Sequence, residues 1–321
     1  MLSRVADNLY WMSRYLERAE HTARVMDVHI SLMLDQSKQS AELRWNRLMA
    51  SLSLEEDIKP TYDTKEFCRT MIFDPDEPAS IFACVANARE NCRQVRGSIS
   101  SEMFEQLNRM YLMMKEANFD EVWSDGPNEI LRAVKEGSQL FQGITDSTLS
   151  ADEGWHFTQM GRYMERAQMT TSLLDAYGQF YDKRQEEVPD PTTHLDLVAL
   201  LKCCTAFEAY CRTYTARLKK RQALEFLLLS KDFPHAVRFS VDRLAAAIDA
   251  VSGRNTSLHD YGPLERLAGR VRARLHYTTI NEVLEVGLKP VLADVQADCG
   301  AIHSAIYDAF ITYPIEKELV S

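Results

Sequence analysis

The sequence predicts an all-α protein, a large helical bundle with long helices, built from two duplicated halves. Apolar residues recur at alternating steps of three and four over long stretches, which is the spacing of one face of a helix. Gly and Pro number only 12 and 10 of the 321 residues, whereas the good helix formers Leu, Ala, Arg, Glu and Met are plentiful. Alternation of apolar and polar residues is not sustained over several segments, so we expect no β-sheet.

The first half, residues 1–150, divides into helices at its turn residues. The spacing predicts helices over residues 3–35, 42–54, 64–73, 79–96, 103–114 and 128–148. Thr64 is expected to cap the third of these helices, and Gly97 to close the fourth. The sequences D-P-D-E-P from Asp74 and D-G-P from Asp125 predict turns that separate the later helices.

The second half, residues 151–321, is expected to follow a similar order. The spacing predicts helices over residues 152–184, 195–218, 264–277 and 282–313, with Thr193 capping the second of them. Between them, residues 225–244 repeat the order helix, acidic turn, proline, helix that residues 66–85 show, with Pro234 corresponding to Pro78. We expect the two halves to share one continuous core rather than to be joined by a flexible linker.

The clearest repeat is R-Y-x-E-R-A, which stands near the centre of both long helices. The stretch 9–27 contains the first copy, and the stretch 157–175 contains the second. The polar and charged positions of the two copies are Arg14, Tyr15, Glu17, Arg18, Arg162, Tyr163, Glu165 and Arg166. These eight residues are the main candidates for ligand binding.

The charged residues of the motif lie away from the main apolar seam of their helix. With Leu9 as position a of a heptad, Arg14 falls at f, Glu17 at b and Arg18 at c. Apolar residues also stand at both ends of this outer stripe. We therefore expect the outer face to be covered as well, which would place the Arg and Glu side chains between packed helices.

Two interpretations of the motif follow. In the first, Glu17 and Glu165 form ion pairs with Arg18, Arg166 or their neighbours across the core, because buried charges need partners. In the second, the arginines converge on an anionic ligand such as a carboxylate or phosphate, which the planar guanidinium group binds with two parallel hydrogen bonds. The sequence leaves both interpretations open.

A second group of charges lies on the helix expected over residues 79–96. Arg89, Arg93 and Arg96 are spaced by four and three residues, so they share one helix face, and Asn91 lies further round. The group is either a solvated surface or an addition to the binding site. We include Arg89, Asn91 and Arg93 among the candidate ligand-binding residues.

The residue patterns favour neither a metal, a cofactor nor a known catalytic site. A di-iron bundle requires two E-x-x-H motifs, but only Glu153 to His156 fits, and the first copy has Val5 and Asn8 at those places. The glycine-rich loops of nucleotide-binding proteins and the G-x-S-x-G elbow do not occur. The catalytic residues therefore stay unknown, and the pattern favours a binding or partner role.

The totals indicate a cytoplasmic protein. The net charge of −10 and the pI of about 5.4 speak against general nucleic-acid binding, which usually requires a basic surface. Arg4 and Asp7 interrupt any apolar signal region, and no run approaches the roughly 20 apolar residues that span a bilayer. Seven cysteines without a C-x-x-C motif fit a reducing compartment.

These motifs together resemble the bacterial alpha-E family, an all-helical domain of unknown function that is named for an E-R motif. The resemblance rests on both R-Y-x-E-R-A copies, A-R-E-N at residues 88–91, V-R-G-S-I-S-S-E-M-F-E at residues 95–105 and F-L-L-L-S-K-D-F-P at residues 226–234. It covers nearly the whole chain. Phe104 stands where the family often has Trp, and His235 where it often has another basic residue.

The resemblance implies an association with other proteins. Members of the alpha-E family often occur beside or fused to a circularly permuted ATP-grasp protein, and commonly near a transglutaminase-like peptidase. We therefore expect a non-catalytic helical partner of an ATP-grasp-type peptide or amide ligase system, which binds the ligase or an acidic peptide or amino acid through its paired E-R motifs. The alternatives are an enzyme that carries out amide-bond chemistry at the E-R centre and a purely structural role for the motifs.

Overall fold

Two long helices, α1 (Ser3–Met33) and α8 (Glu153–Gly178), lie side by side, and the other helices pack around them. The computed structural model describes residues 1–33, 38–54, 63–178, 191–215, 217–253 and 262–312. Within these ranges the chain forms fifteen α-helices and no β-strand, which confirms the predicted all-α class.

The helices of each half succeed one another with short connections. In the first half, α1 is followed by α2 (Lys38–Ser51), α3 (Thr64–Phe73), α4 (Ile81–Gln94), α5 (Ser101–Glu116), α6 (Phe119–Asp125) and α7 (Asn128–Thr148). In the second half, α8 is followed by α9 (Pro191–Cys203), α10 (Phe207–Thr213), α11 (Lys220–Leu229), α12 (Val237–Ser252), α13 (Pro263–Tyr277), α14 (Ile280–Val286) and α15 (Leu288–Ile306). A π-helical turn at Tyr307–Ile311 extends α15.

The neighbours of α1 and α8 are arranged in parallel ways. Helix α1 packs against α4 and α7, and α8 packs against α12 and α15. Helix α5 bridges α4 and α7 as α13 bridges α12 and α15. The short helices α6 and α14 both end at a glycine with positive φ, Gly126 and Gly287. This order is compatible with the predicted duplication, which stays a prediction from the sequence.

The backbones of α1 and α8 approach closely at Gly161. A Cβ atom added to Gly161 would lie 2.1 Å from the carbonyl oxygen of Tyr10 and 3.2 Å from the Cβ of Ser13. A larger residue would have to push the two helices apart, because the nearest atom belongs to the backbone of α1. The missing side chain thus permits the helix contact on which the candidate site depends.

Several predicted boundaries were wrong. Asp63 rather than Thr64 caps α3, because its carboxylate accepts hydrogen bonds from the backbone of the first turn. The helix predicted over residues 195–218 is broken into α9 and α10 near Thr205, whose φ is 52°. The helix predicted over residues 282–313 is divided into α14 and α15 at Gly287, whose φ of 104° cannot continue a right-handed helix.

Other boundaries differ by smaller amounts. Helix α4 begins at Ile81, where Ser80 is the N-cap, and Val95 rather than Gly97 closes it. Helix α6 lies in a segment where the sequence suggested only a turn. The expected extensions of α1 to residue 35, of α8 to residue 184 and of the last helix to residue 313 lie outside the described residues. No helix in the described ranges is long and apolar enough to cross a bilayer.

Candidate functional site

The outer face of α1 is covered by α8, as the sequence predicted. Arg14 and Glu17 in α1, and Glu165 and Arg166 in α8, are each less than a tenth exposed. The charged positions of both motifs therefore meet inside the molecule, between the two longest helices. Four charges at such depth require partners, since an uncompensated buried charge is costly.

The two motifs pair with each other rather than within themselves. Arg166 binds Glu17 with two hydrogen bonds, from Nε to Oε1 at 2.5 Å and from Nη2 to Oε2 at 2.9 Å. Glu165 accepts one hydrogen bond from Nε of Arg18 and one from Nε of Arg14, each at 2.6 Å. We name these five residues the Glu–Arg core. Each glutamate of the core binds an arginine of the other half of the chain.

The arginines hold the second glutamate in its ionised form. Burial alone would raise the pKa of Glu165, but the guanidinium groups of Arg14 and Arg18 outweigh that effect and lower this pKa below the usual glutamate value. Glu165 in turn helps to raise the pKa of Arg14 and of Arg18 against the opposing effect of burial. Glu165 is therefore ionised at neutral pH.

The tyrosines of the motif lie against the arginines. The guanidinium carbon of Arg18 lies 5.7 Å from the ring centroid of Tyr15, and that of Arg166 lies 5.5 Å from the ring centroid of Tyr163. Both tyrosines precede their arginine by three residues, so one helical turn brings ring and cation together. The R-Y-x-E-R spacing thus provides a cation–π contact within each helix, and the same arginines form the ion pairs between the two helices.

Arg162 breaks the symmetry of the core. Arg14, its counterpart in the first motif, binds Glu165 directly, whereas Arg162 reaches Glu17 only through Gln142. Its Nη2 donates to Oε1 of Gln142 at 2.6 Å, and Nε2 of Gln142 donates to Oε2 of Glu17 at 3.2 Å. A small cavity of about 20 Å³ lies beside these groups, which is room for one water molecule. Nε of Arg162 is buried and has no hydrogen-bond partner among the described residues.

His303 contacts Arg14 as Gln142 contacts Arg162. Nη1 of Arg14 lies 3.3 Å from Nδ1 of His303, which is also 2.9 Å from the hydroxyl of Tyr10. The guanidinium group of Arg14 stacks on Trp11 at 4.7 Å. Gln142 and His303 stand the same number of residues beyond the positive-φ glycines that precede their helices. These positions on α7 and α15 close the two ends of the Glu–Arg core.

Arg166 also connects the core to the loop 230–236, between α11 and α12. Its Nη1 donates to the carbonyl oxygen of Pro234 at 3.3 Å, and Oγ1 of Thr170 donates to the carbonyl oxygen of His235 at 3.0 Å. Burial and the charge of Arg166 lower the pKa of His235 well below its usual value, so this imidazole is neutral at pH 7. Two hydrogen bonds from α8 thus fix the proline-containing loop against the second motif.

His21 is a second neutral imidazole beside the core. Burial lowers its pKa to about 4, against the opposing effect of Glu17. Cys203, on α9, lines the same small space as His21 and His235. Among the described residues, no three His, Cys, Asp or Glu side chains are arranged to hold a metal ion.

The second group of candidate residues lies apart from the core. Nε of Arg89 donates to Oδ1 of Asn108 at 2.8 Å, and its guanidinium group stacks on Tyr111 at 4.5 Å. Arg93 is exposed and forms an ion pair with Glu90 at 2.7 Å. Asn91 is half-buried. The structure therefore brings the motif residues together but does not bring Arg89, Asn91 and Arg93 to them.

The sequence analysis missed the residues that complete the site. Gln142, His303 and the carbonyl group of Pro234 contact the motif from elements distant in the chain. The only available signal was their similar position in the two halves: Gln142 and His303 follow the glycine turns, and Pro234 corresponds to Pro78. A search for polar residues at equivalent positions of the two halves, rather than for identical residues, would have found Gln142 and His303.

Comparison with known proteins places the site in a family. The model of the Alpha-E family, described as a predicted alpha-helical domain with a conserved ER motif, matches residues 1–311. The chain is 24% identical, over 95% of its length, to an uncharacterized protein of Mycobacterium bovis and to uncharacterized proteins of two strains of Mycobacterium tuberculosis. It spans only 36% of the length of these relatives. No solved structure matches the chain.

Proposed function

Because the chain belongs to the Alpha-E family, we propose that it is a non-catalytic, cytoplasmic helical partner in an ATP-grasp-type peptide or amide ligase system. One observation carries the non-catalytic part of the proposal: the chain's own glutamates occupy the arginines of the Glu–Arg core. Groups that are already paired in the interior stabilise a rigid shape more readily than they bind a substrate. The link to the ligase comes from the family resemblance.

The length of the relatives supports a partner role. The chain matches about a third of each mycobacterial relative, so those proteins contain further regions on the same polypeptide. A helical domain within a longer chain commonly works beside other domains. We propose the ATP-grasp ligase as the main partner and the transglutaminase-like protein as a second.

A second candidate function is the binding of an acidic peptide or amino acid at the edge of the Glu–Arg core. The side chains of Arg18 and Arg162 are 23% and 18% exposed, so both guanidinium groups are within reach of the surface. The buried Nε of Arg162 is a free donor among the described residues. A ligand carboxylate would find its partners there.

The enzyme alternative has weaker physical support. A general base works best when its pKa lies near the operating pH. Arg14 and Arg18 move the pKa of Glu165 in the opposite direction, so that the carboxylate is a weaker base than an ordinary glutamate. The pairing therefore makes Glu165 a poor candidate for proton transfer.

The proposal predicts that the protein captures its ligase and that Arg18 contributes to the contact. The purified, tagged protein is mixed with a circularly permuted ATP-grasp protein of the same organism, and the complex is quantified by affinity capture and by ligase turnover. Arg18→Ala is expected to weaken capture about tenfold or more, since Arg18 is the partly exposed member of the core. Arg93→Ala, which removes an exposed arginine that pairs with Glu90 at the surface, is the matched control and is expected to leave capture unchanged.

Circular dichroism and a thermal unfolding scan establish that each variant is folded before capture is measured. Failure of the unmodified protein to bind the ligase would contradict the proposal. So would a folded Arg18→Ala protein that captures and supports the ligase as well as the Arg93→Ala control does.

A further inference from the structure

Each half of the chain contains an open groove beside the loop that carries its proline. The second-half groove has a volume of about 550 Å³ and lies between α10, α11, the loop 230–236 and the start of α14. The first-half groove has a volume of about 410 Å³ and lies between α3, the end of α5 and the start of α6. Both volumes are in the range of small-molecule and short-peptide sites.

The two grooves occupy equivalent places. Phe73 and Leu229 end the helices α3 and α11, and each lines its groove. The loops that follow, 74–80 and 230–236, have the same length. Phe119 and Ile280 begin the short helices that form the opposite walls. The side chains that line the two grooves can therefore be compared position by position.

The second-half groove has an aromatic wall. The ring centroids of Phe226 and Phe233 lie 4.8 Å apart, and that of Tyr214 lies 6.2 Å from that of Phe226. All three residues line the groove. Phe226 and Phe233 are buried and expose only a small part of their rings to the groove, whereas Tyr214 is half-buried, so that its ring offers apolar area to a ligand and its hydroxyl can bind a polar group.

Charges of both signs surround this wall. Glu225 and Asp232 supply two carboxylates, and Lys231 and Arg238 supply two cations. Among the described residues, Glu225, Lys231 and Asp232 form no ion pair. Arg238 is already engaged, because its Nη1 donates to the carbonyl oxygen of Leu229 at 3.4 Å, its Nη2 lies 2.8 Å from Nδ1 of His276, and its Nε lies 4.0 Å from a carboxylate oxygen of Asp242. The groove is thus neutral overall but presents unpaired groups of both signs.

The first-half groove has the same number of charges but has already paired some of them. It is lined by Glu66, Asp74, Arg69 and Lys115. Arg69 lies 3.6 Å from Glu66 and 3.4 Å from Asp120, and its guanidinium group covers Phe119 at 4.2 Å. A ligand would have to displace these internal contacts, so the second-half groove is the better site.

The Glu–Arg core supports one wall of the second-half groove. Lys231, Asp232 and Phe233 lie in the groove wall, and the next residue, Pro234, accepts a hydrogen bond from Arg166. Arg166 is itself fixed by two hydrogen bonds to Glu17. The paired motifs therefore position the loop, and Arg166 acts as a positioning residue for the groove.

We propose that the second-half groove binds a short peptide that has a free carboxylate, a free ammonium group and an apolar side chain. Lys231 receives the carboxylate, Glu225 and Asp232 receive the ammonium group, and the aromatic wall receives the side chain. The inference assigns a ligand to this chain itself. It rests on the proposed function, because the ligase system would be the biological source of the peptide.

The test uses the full chain and three forms of one probe: alanyl-phenylalanine, its N-acetyl form and its C-terminal amide. Isothermal titration calorimetry is expected to show one saturable site for the free dipeptide, and each cap is expected to weaken binding about tenfold or more. Lys231→Ala and Asp232→Asn change exposed side chains and are expected to weaken binding of the free dipeptide by several fold. Arg69→Ala, in the first-half groove, is the matched control and is expected to leave the affinity for the free dipeptide unchanged.

The inference is overturned if the free dipeptide shows no saturable binding, if both capped forms bind as well as the free one, or if Arg69→Ala weakens binding while Lys231→Ala does not. Capture of the ligase by the Lys231→Ala protein separates the two proposals. A protein that captures the ligase but does not bind the dipeptide contradicts only the groove assignment, whereas loss of ligase capture by the unmodified protein contradicts the proposed function.

Discussion

Replacement of Glu165 by Gln is expected to lower the free energy of unfolding by about 3–5 kcal/mol. Within the described residues, Glu165 is the carboxylate that forms the ion pairs of both Arg14 and Arg18. Its neutralisation leaves two positive charges in the interior with no carboxylate between them. Glutamine keeps the size of the side chain, so the loss reports the charge rather than a cavity.

Urea unfolding at pH 7 measures this loss. Glu90→Gln is the matched control, because Glu90 also pairs with an arginine but does so at the surface, where such pairs contribute at most about 1 kcal/mol. A loss below about 1 kcal/mol for Glu165→Gln would contradict the account of the core.

The same replacement is expected to change the response to acid. Because the pKa of Glu165 is lower in the folded state than in the unfolded state, its contribution is fully present above the usual glutamate pKa and is lost as the pH falls through the lowered value. The stability of the unmodified protein should therefore decline more steeply below pH 5 than that of Glu165→Gln. Equal slopes for the two proteins would contradict the assignment of the shifted pKa.

Replacement of Gly161 by Ala is expected to destabilise the fold by about 1–3 kcal/mol or more, because it overpacks the contact between α1 and α8. The new methyl group would lie 2.1 Å from a backbone oxygen of Tyr10, which no side-chain rotation can relieve. Separation of the helices would also lengthen the hydrogen bonds of the Glu–Arg core, which lie one helical turn away.

Gly143→Ala provides a control of opposite sign. Gly143 is an exposed residue within α7, and a methyl group there would meet no atom within 4 Å. Alanine in place of glycine at an unstrained helix position is expected to stabilise by about 0.5–1 kcal/mol. Thermal and urea unfolding of both variants measure the contrast. Equal effects of the two replacements would show that the close approach at Gly161 is unimportant.

The fold class was predictable because helices are determined largely by residues close together in the sequence. Helix spacing in the sequence located α1, α3, α7 and α13 to within a few residues. The burial of Arg14 and Glu17 was also predictable, since apolar residues at both ends of the outer stripe of α1 indicated a second packed face. Repetition of the motif then made α8 the natural partner.

The missed features depend on backbone angles or on distant contacts. In the sequence, Gly287 looks like any other glycine within a long apolar stretch. Its φ of 104° in the structure shows that it separates two helices. Gln142 and Pro234 contact the motif across the fold, and neither differs in sequence from a surface glutamine or a loop proline. The choice between an internal ion pair and a ligand site likewise depended on which arginine each glutamate reached.

The second-half groove could not be predicted from the sequence, because it too depends on contacts between distant parts of the chain. The stretch F-L-L-L-S-K-D-F-P resembles a family pattern, but the letters alone do not show that Lys231 and Asp232 are exposed beside a groove. The structure shows that Phe226 and Phe233 face one another while Lys231 and Asp232 stand at the rim. Their use by a ligand is a matter of surface shape, which depends on α10 and α14 as much as on the motif.

The central claim is that the two motifs stabilise the fold by pairing across its halves, and a double-mutant cycle between Glu17 and Arg166 tests it most directly. Glu17→Gln, Arg166→Met and the double variant are compared with the unmodified protein by urea unfolding. The account predicts a coupling energy of about 2–3 kcal/mol, against additivity within about 0.5 kcal/mol for Glu17→Gln combined with the surface variant Arg93→Met. Additive effects of Glu17→Gln and Arg166→Met would contradict the claim.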